Sequence, residues 1–191
     1  MLKLRSDKYD ICILNEPTYN LRSVDNVYTY EHEYVLSREN HFNSSHGIKI
    51  VAEEEVLNSC VLVASGGSTG VHDRTAVIVR DYIYLAVGDA LSCLKLPSLD
   101  LLWWQKVYFA TCFGVYYLAN EDCLITHGEI EISRFTRSGD LVWHGSGKDI
   151  FTEGFEIKDD IIEAIDFNHE KYRIRVSDGW MQLLSENIKG E

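Results

Sequence analysis

DCLITHGEIEISRFTRSGDLVW, residues 122–143, is the stretch on which the reading of the fold turns. Leu124 and Val142, and the alternation of Ile130 and Ile132 with Glu129 and Glu131, suit half-buried strands, whose side chains point to opposite faces with a period of two. Gly128 stands where two such runs reverse. Ser138-Gly139-Asp140 is turn chemistry, because glycine accepts a positive φ while serine and aspartate bond to their own backbone. Trp143 follows directly, and a side chain that large is expected to pack between this sheet and a neighbour.

Two further stretches repeat the pattern: DYIYLAVGDALSCLKLPSLDLLWW, residues 81–104, and DIIEAIDFNHEKYRIRVSDGWMQLL, residues 160–184. Gly88 answers to Gly128, Asp100 to Asp140 and Trp103 to Trp143 at a shift of forty residues, and Gly139 answers to Gly179 at the same shift. One small sheet leaves a face bare, so successive copies must stack and bury each other. The expectation is an all-β, propeller-like array of short antiparallel sheets with a period of about 40 residues, either a small closed propeller or an open arc. Residues 73–184 are expected to form three such sheets, with Trp103, Trp143 and the region of Trp180 at equivalent places.

A strand pair, a Ser-Gly-Asp turn and an aliphatic pair ending in Trp, as in SGDLVW at 138–143, resembles the blade signature of quinoprotein-type β-propellers. The resemblance covers roughly residues 73–184. The first copy carries Pro97-Ser98-Leu99 at the turn, and the third sets Trp180 directly against Gly179. The adjacent cysteine pair usual in cofactor-binding members of that family is absent, so the resemblance implies the fold and not quinone chemistry. No cofactor is implied.

Organisation changes near residue 47. Residues 1–46 hold a strand at 9–14, a polar loop at 15–26 and a long alternating run at 27–36, and read as an atypical end unit covering the terminal face of the array. Residues 47–191 read as the β-repeat domain, the whole making one structural unit. Residues 51–59, VAEEEVLNS, are the best candidate for a short helix, since consecutive glutamates are good helix formers.

Composition narrows the function classes. The net charge is −12, and residues 121–170 hold four basic against thirteen acidic residues. A polyanion needs the opposite field, so a nucleic-acid role is disfavoured and a basic protein partner is favoured. No run of about eighteen apolar residues offers a membrane helix. Asp7, Lys8 and Asp10 interrupt any leader-like stretch, and five cysteines without a CxxC spacing suit free thiols in a reducing compartment, so the expected location is cytoplasmic.

Candidate sites come from three places. In the segment VYTYEHEYVL, read as one strand, Tyr28, Tyr30, His32 and Tyr34 share a face, which would make an aromatic platform for a sugar or for partner side chains, or a cover for an adjacent sheet. The loop at 65–70, SGGSTG, lacks the Lys-Ser/Thr pair and the following helix of a phosphate loop, and reads as a hairpin loop bringing His72, Asp73 and Arg74 into one span. The acidic residues Asp159, Asp160 and Glu163 mark a negative face that also takes in Asp122, Glu129, Glu131, Glu153, Glu156 and Asp166. The run Asp166, Asn168, Glu170 lacks the glycine and glutamate of a calcium loop, and the turn at Gly128 separates His127 from Glu129 and Glu131 as metal ligands, so no metal site is assigned. No catalytic constellation is legible, and the reading favours a non-enzyme. Two hypotheses stand: a protein-binding module acting through its acidic face, of the inhibitor or immunity type, and a carbohydrate or small-molecule binder, with or without hydrolysis, using the aromatic run and the Gly66–Arg74 loop.

Overall fold

The computed structural model describes residues 1–6, 8–107 and 110–184, and every helix or strand among them is a strand. The first sheet holds β1 (Leu2–Arg5), β2 (Asp10–Asn15), β3 (His32–Val35), β4 (Ser44–Ala52) and β5 (Glu55–Ala64), in the order β1-β2-β4-β5-β3. Its pairs are antiparallel except β3, which runs parallel to β5. Three four-stranded antiparallel sheets follow in chain order. They are β6 (Ala76–Val79), β7 (Tyr82–Val87), β8 (Ala90–Lys95) and β9 (Leu101–Lys106); then β10 (Cys112–Leu118), β11 (Cys123–Gly128), β12 (Glu131–Thr136) and β13 (Leu141–Ser146); then β14 (Gly154–Lys158), β15 (Ile161–Ile165), β16 (Lys171–Arg175) and β17 (Met181–Leu184).

Three apolar clusters join successive sheets. One fills the space between the first and second sheets, around Ile13, Ile48, Leu62, Ile83 and Leu94. Tyr84, Leu91, Val115, Leu124 and Phe135 fill the next, and Ile125, Ile132, Trp143, Phe151 and Ile174 the last. Alternation explains how one strand serves two cores: in β7, Ile83 and Leu85 face one cluster while Tyr84 and Ala86 face the other. Sheets buried on both faces therefore read as nearly continuous apolar runs, as YIYLAV does. Among the described residues no cluster joins the fourth sheet to the first.

The forty-residue shift is a repeated contact. Trp103 Nε1 donates to the Arg137 carbonyl at 3.2 Å, and Trp143 Nε1 donates to the Val176 carbonyl at 2.8 Å. Each indole lies under the turn glycine of the next sheet: a Cβ at Gly139 would sit 2.8 Å from the Trp103 ring, and one at Gly179 would sit 2.7 Å from the Trp143 ring. Both glycines have positive φ, 91° and 73°, and Leu99 holds the equivalent place in the first copy at 60°. One extra residue ahead of each Trp, Leu102 or Val142, is left out of the ladder with the neighbouring strand. Trp180 departs from this series, being 54% exposed beside Arg175. Leu183, forty residues after Trp143, joins the last cluster together with Met181 of the same strand.

Two expected elements are replaced. The candidate helix at 51–59 is a hairpin, with Glu53 and Glu54 at φ 50° and 69° turning β4 into β5. Local glutamate propensity loses to a ladder of nine paired positions that buries Ile48, Ile50, Cys60 and Leu62. The long strand expected at 27–36 is confined to β3, and residues 27–31 are irregular. The division near residue 47 falls inside β4, so the first sheet draws on both sides of it.

Candidate functional site

The first strands of the three four-stranded sheets, β6, β10 and β14, converge on one cleft of about 1020 Å³. Val77, Tyr117 and Ile157, spaced by forty residues, all line it. Two aromatic rings form its wall, Tyr116 and Phe155, with centroids 4.9 Å apart. The Arg74 guanidinium stands 5.1 Å from the Tyr116 ring centre. Glu121, Glu156, Asp159 and Asp160 also line the cleft, so four carboxylates face one guanidinium among its lining residues.

The turn between β14 and β15 explains the placement of the two aspartates. Asp159 takes a positive φ of 53°, a conformation aspartate tolerates because its short side chain bonds locally. The Asp160 carbonyl accepts the Val176 N–H at 2.8 Å, which ties the turn to the end of β16. Arg74 is fixed from its backbone, its carbonyl accepting the Val115 N–H at 2.9 Å.

The structure brings Arg74, Asp159 and Asp160 together in the cleft, keeps His72 and Asp73 beside Arg74 without placing them in its lining, and sets the remaining candidates elsewhere. His72 and Asp73 sit in the turn before β6, where the His72 N–H donates to Thr75 Oγ1 and Nδ1 accepts the Arg74 N–H at 3.2 Å. Glu163 lies on the far face of the fourth sheet, bonded to Lys158 at 3.2 Å and Arg173 at 3.1 Å. These two cations hold its carboxyl below the usual carboxylate range, Lys158 first.

The four-residue aromatic face is not formed. Tyr28 and Tyr30 cover the outer face of the first sheet, with Lys49 Nζ 4.0 Å from the Tyr28 ring centre and 5.6 Å from that of Tyr30. Tyr30 lies against Gly47, where no Cβ would fit, and its hydroxyl donates to Glu16 at 2.8 Å. Burial first, and then that carboxylate, pushes the Tyr30 phenol well up. His32 and Tyr34 are in β3 and stack on each other at 5.8 Å. The physical reason is the short reach of β3: four residues pair with β5, and the chain before them leaves the sheet plane to cover it.

The broad acidic face is also broken up. Glu131 is 5% exposed and accepts from His144 Nδ1 at 2.9 Å. Asp166 is fully buried and accepts the N–H groups of Asn168 and Glu170 and the Tyr172 hydroxyl at 2.9 to 3.0 Å, an arrangement that offsets its desolvation. His127 donates to the Phe151 carbonyl at 3.0 Å and stacks on Phe155 at 4.3 Å, and burial drops its pKa to about 4. Among the described residues no group of three His, Cys, Asp or Glu side chains is placed to hold a metal. No helix there is long and apolar enough to cross a membrane.

Tyr116, Phe155 and Glu121 are cleft residues that sequence reasoning did not single out, whereas Glu156 was already read as part of the negative face. The signal was the same forty-residue shift, which extends upstream of each quoted copy to its first strand.

No protein-family model matches this chain, and no curated protein matches it in sequence. Among solved structures the computationally designed protein Ika8 is similar in fold, with a TM-score of 0.52 at 10% identity over 78% of this chain and 47% of that one. The chain thus spans about half the length of Ika8. The computationally designed protein Ika4 gives a TM-score of 0.48 at 9% identity, over 61% of this chain and 76% of that one. What the fold and the cleft define is an all-β protein of four successive sheets, with a groove along the first strands of the last three.

Proposed function

We propose that the four sheets are successive blades of an open, propeller-like arc, and that the chain is a non-catalytic protein-binding module whose acidic cleft receives a basic partner. The lining of the cleft carries this reading: four carboxylates and two aromatic rings in one concavity, where Arg134 bonds Glu121, Lys158 bonds Glu156 and Asp159 and Asp160 stand together at the turn opposite Arg74. Aromatic walls supply area at small entropic cost, and a net charge of −12 steers a cationic surface toward them. An inhibitor or immunity-type role against a basic protein fits that chemistry. Cytoplasmic residence fits the free thiols Cys60, Cys93, Cys112 and Cys123, all buried.

The test separates the cleft from net charge. Asp159→Asn with Asp160→Asn removes two charges inside the cleft, while Glu54→Gln with Glu55→Gln removes two from an exposed hairpin on the first sheet. With polylysine as the basic probe, stopped-flow association should slow markedly for the first pair and little for the second, and salt should slow it further, since ions screen such fields over about 8 Å at physiological strength. Equal slowing by both pairs would sink the cleft as the docking site.

A further inference from the structure

A cleft walled by the face of a strand takes every second residue, because successive side chains point to opposite sides. This cleft takes consecutive ones: Val77 and Ile78, the run 116–121, and the run 155–157. The strands therefore present their edges, main chain included. The sheet orders agree, since β6, β10 and β14 each stand at the end of their sheet with a strand partner on one side only. Arg74 closes part of the β10 edge through Val115. For β14, among the described residues, no main-chain bond arrives from outside its own sheet.

We propose that the cleft binds its partner as an added strand, an extended segment alternating basic and apolar residues that pairs with the free edge of β14. This rests on the reading of the cleft as the docking site and names the mode of docking. An edge strand offers a row of N–H and C=O groups ready to pair, and proteins that recognise extended segments draw affinity from those bonds and specificity from alternate side chains. The side chains of β14 set the alternation required of the guest. Phe155 and Ile157 face the third sheet within the last apolar cluster, so the guest residues on that side meet Phe155 and the Tyr116 ring and must be apolar. Glu156 is on the opposite side, exposed and bonded to Lys158 at 2.8 Å, and Asp159 and Asp160 follow at the strand's end, so it is where the guest passes these two aspartates that its residues on that side must be cationic. The edge is only five residues long and carries Glu156 and Lys158, the kind of charged, short edge that resists pairing with indiscriminate neighbours.

The probe is a short capped peptide in which lysine and valine alternate, titrated against the full chain in three forms: unmodified, N-methylated on every lysine, and N-methylated on every valine. In an extended chain the lysine N–H groups all point to one edge and the valine N–H groups to the other, so only one set can pair with β14. The expected result is that one methylated peptide binds about tenfold weaker or worse while the other keeps the affinity of the parent, because several main-chain bonds are lost together. The unmodified peptide should also slow amide exchange at residues 155–158. Equal binding of all three peptides overturns strand addition; if Asp159→Asn with Asp160→Asn then still weakens all three, the cleft remains the docking site and only the mode falls. Failure of every peptide to bind overturns the inference as well.

Discussion

The two ends of the array finish their bare sheet faces by opposite means. At the first sheet, Val61 and Val63 point away from the core shared with the second sheet, yet both are buried. Residues 16–31 lie over that face: Tyr30 sits on Gly47, Tyr28 and Tyr30 take Lys49, and the Glu31 N–H reaches Ser59. At the fourth sheet the outward face is charged. Glu156 and Glu163 stand directly opposite each other, and Lys158 bonds both, at 2.8 and 3.2 Å, while Arg173 adds a second bond to Glu163. An apolar face needs a cover, and a charged face can be left to water. The first sheet thus meets its surroundings through a covering loop and the fourth sheet through paired charged side chains. The cleft along the first strands of the last three sheets lies apart from both of these faces and is the concave surface on which the proposed function rests.

This contrast can be broken at several strengths. The largest effect is expected at Trp143, which holds the charged end sheet from within by filling the last cluster and bonding Val176. Trp143→Ala should lower stability by about 3–5 kcal/mol in denaturant melts. A loss below about 1 kcal/mol would mean that the fourth sheet is not held by its inner face.

Acid comes next and reaches both ends. His46 in β4 and His127 in β11 both have pKa values of about 4, lowered from 6.5 by burial. The folded state therefore keeps them neutral where the unfolded chain takes up protons. Their contribution to stability is whole above about pH 6.5 and falls as the pH drops toward 4, each imidazole contributing a loss of about 1.4 kcal/mol for each unit between its folded and unfolded pKa values. Melts across that range should show the fall, and His127→Gln should make it shallower. A fall as steep in the variant as in the parent would contradict the buried, neutral imidazole.

The smallest effects compare the two covers directly. Tyr30→Phe removes the phenol bonded to Glu16, a carboxylate only 8% exposed, and should cost about 1–2 kcal/mol. Arg173→Gln removes one arm of an exposed ion-pair network and should cost less than about 0.5 kcal/mol. Equal losses in the same melts would erase the distinction between a packed cover and a wetted face.

Much of this architecture is legible in the chain because its repeated contacts recur at fixed spacing. Trp103 and Trp143, Gly139 and Gly179, and the turns beside them fall forty residues apart because each indole seats on the next sheet's turn. What escapes the eye depends on partners distant in sequence. Glu131 and Asp166 look like surface charges until His144 and the 166–170 turn are seen to satisfy them. Three glutamates in a row suggest a helix until the ladder of β4 and β5 forces a turn there. The aromatic run 27–36 mimics a long strand because a covering loop and a strand both favour tyrosine and valine. The cleft is assembled from strand edges in three separate sheets, so only its spacing, and not its concavity, is written in the sequence.

The most direct test of the account is amide hydrogen exchange of the full chain with and without polylysine. Protection is expected to rise at residues 116–121 and 155–160, while residues 16–31 and the strand β16 stay as they are. Protection concentrated on residues 16–31 or on β16, with the cleft unchanged, would place recognition at an end of the array and contradict the account.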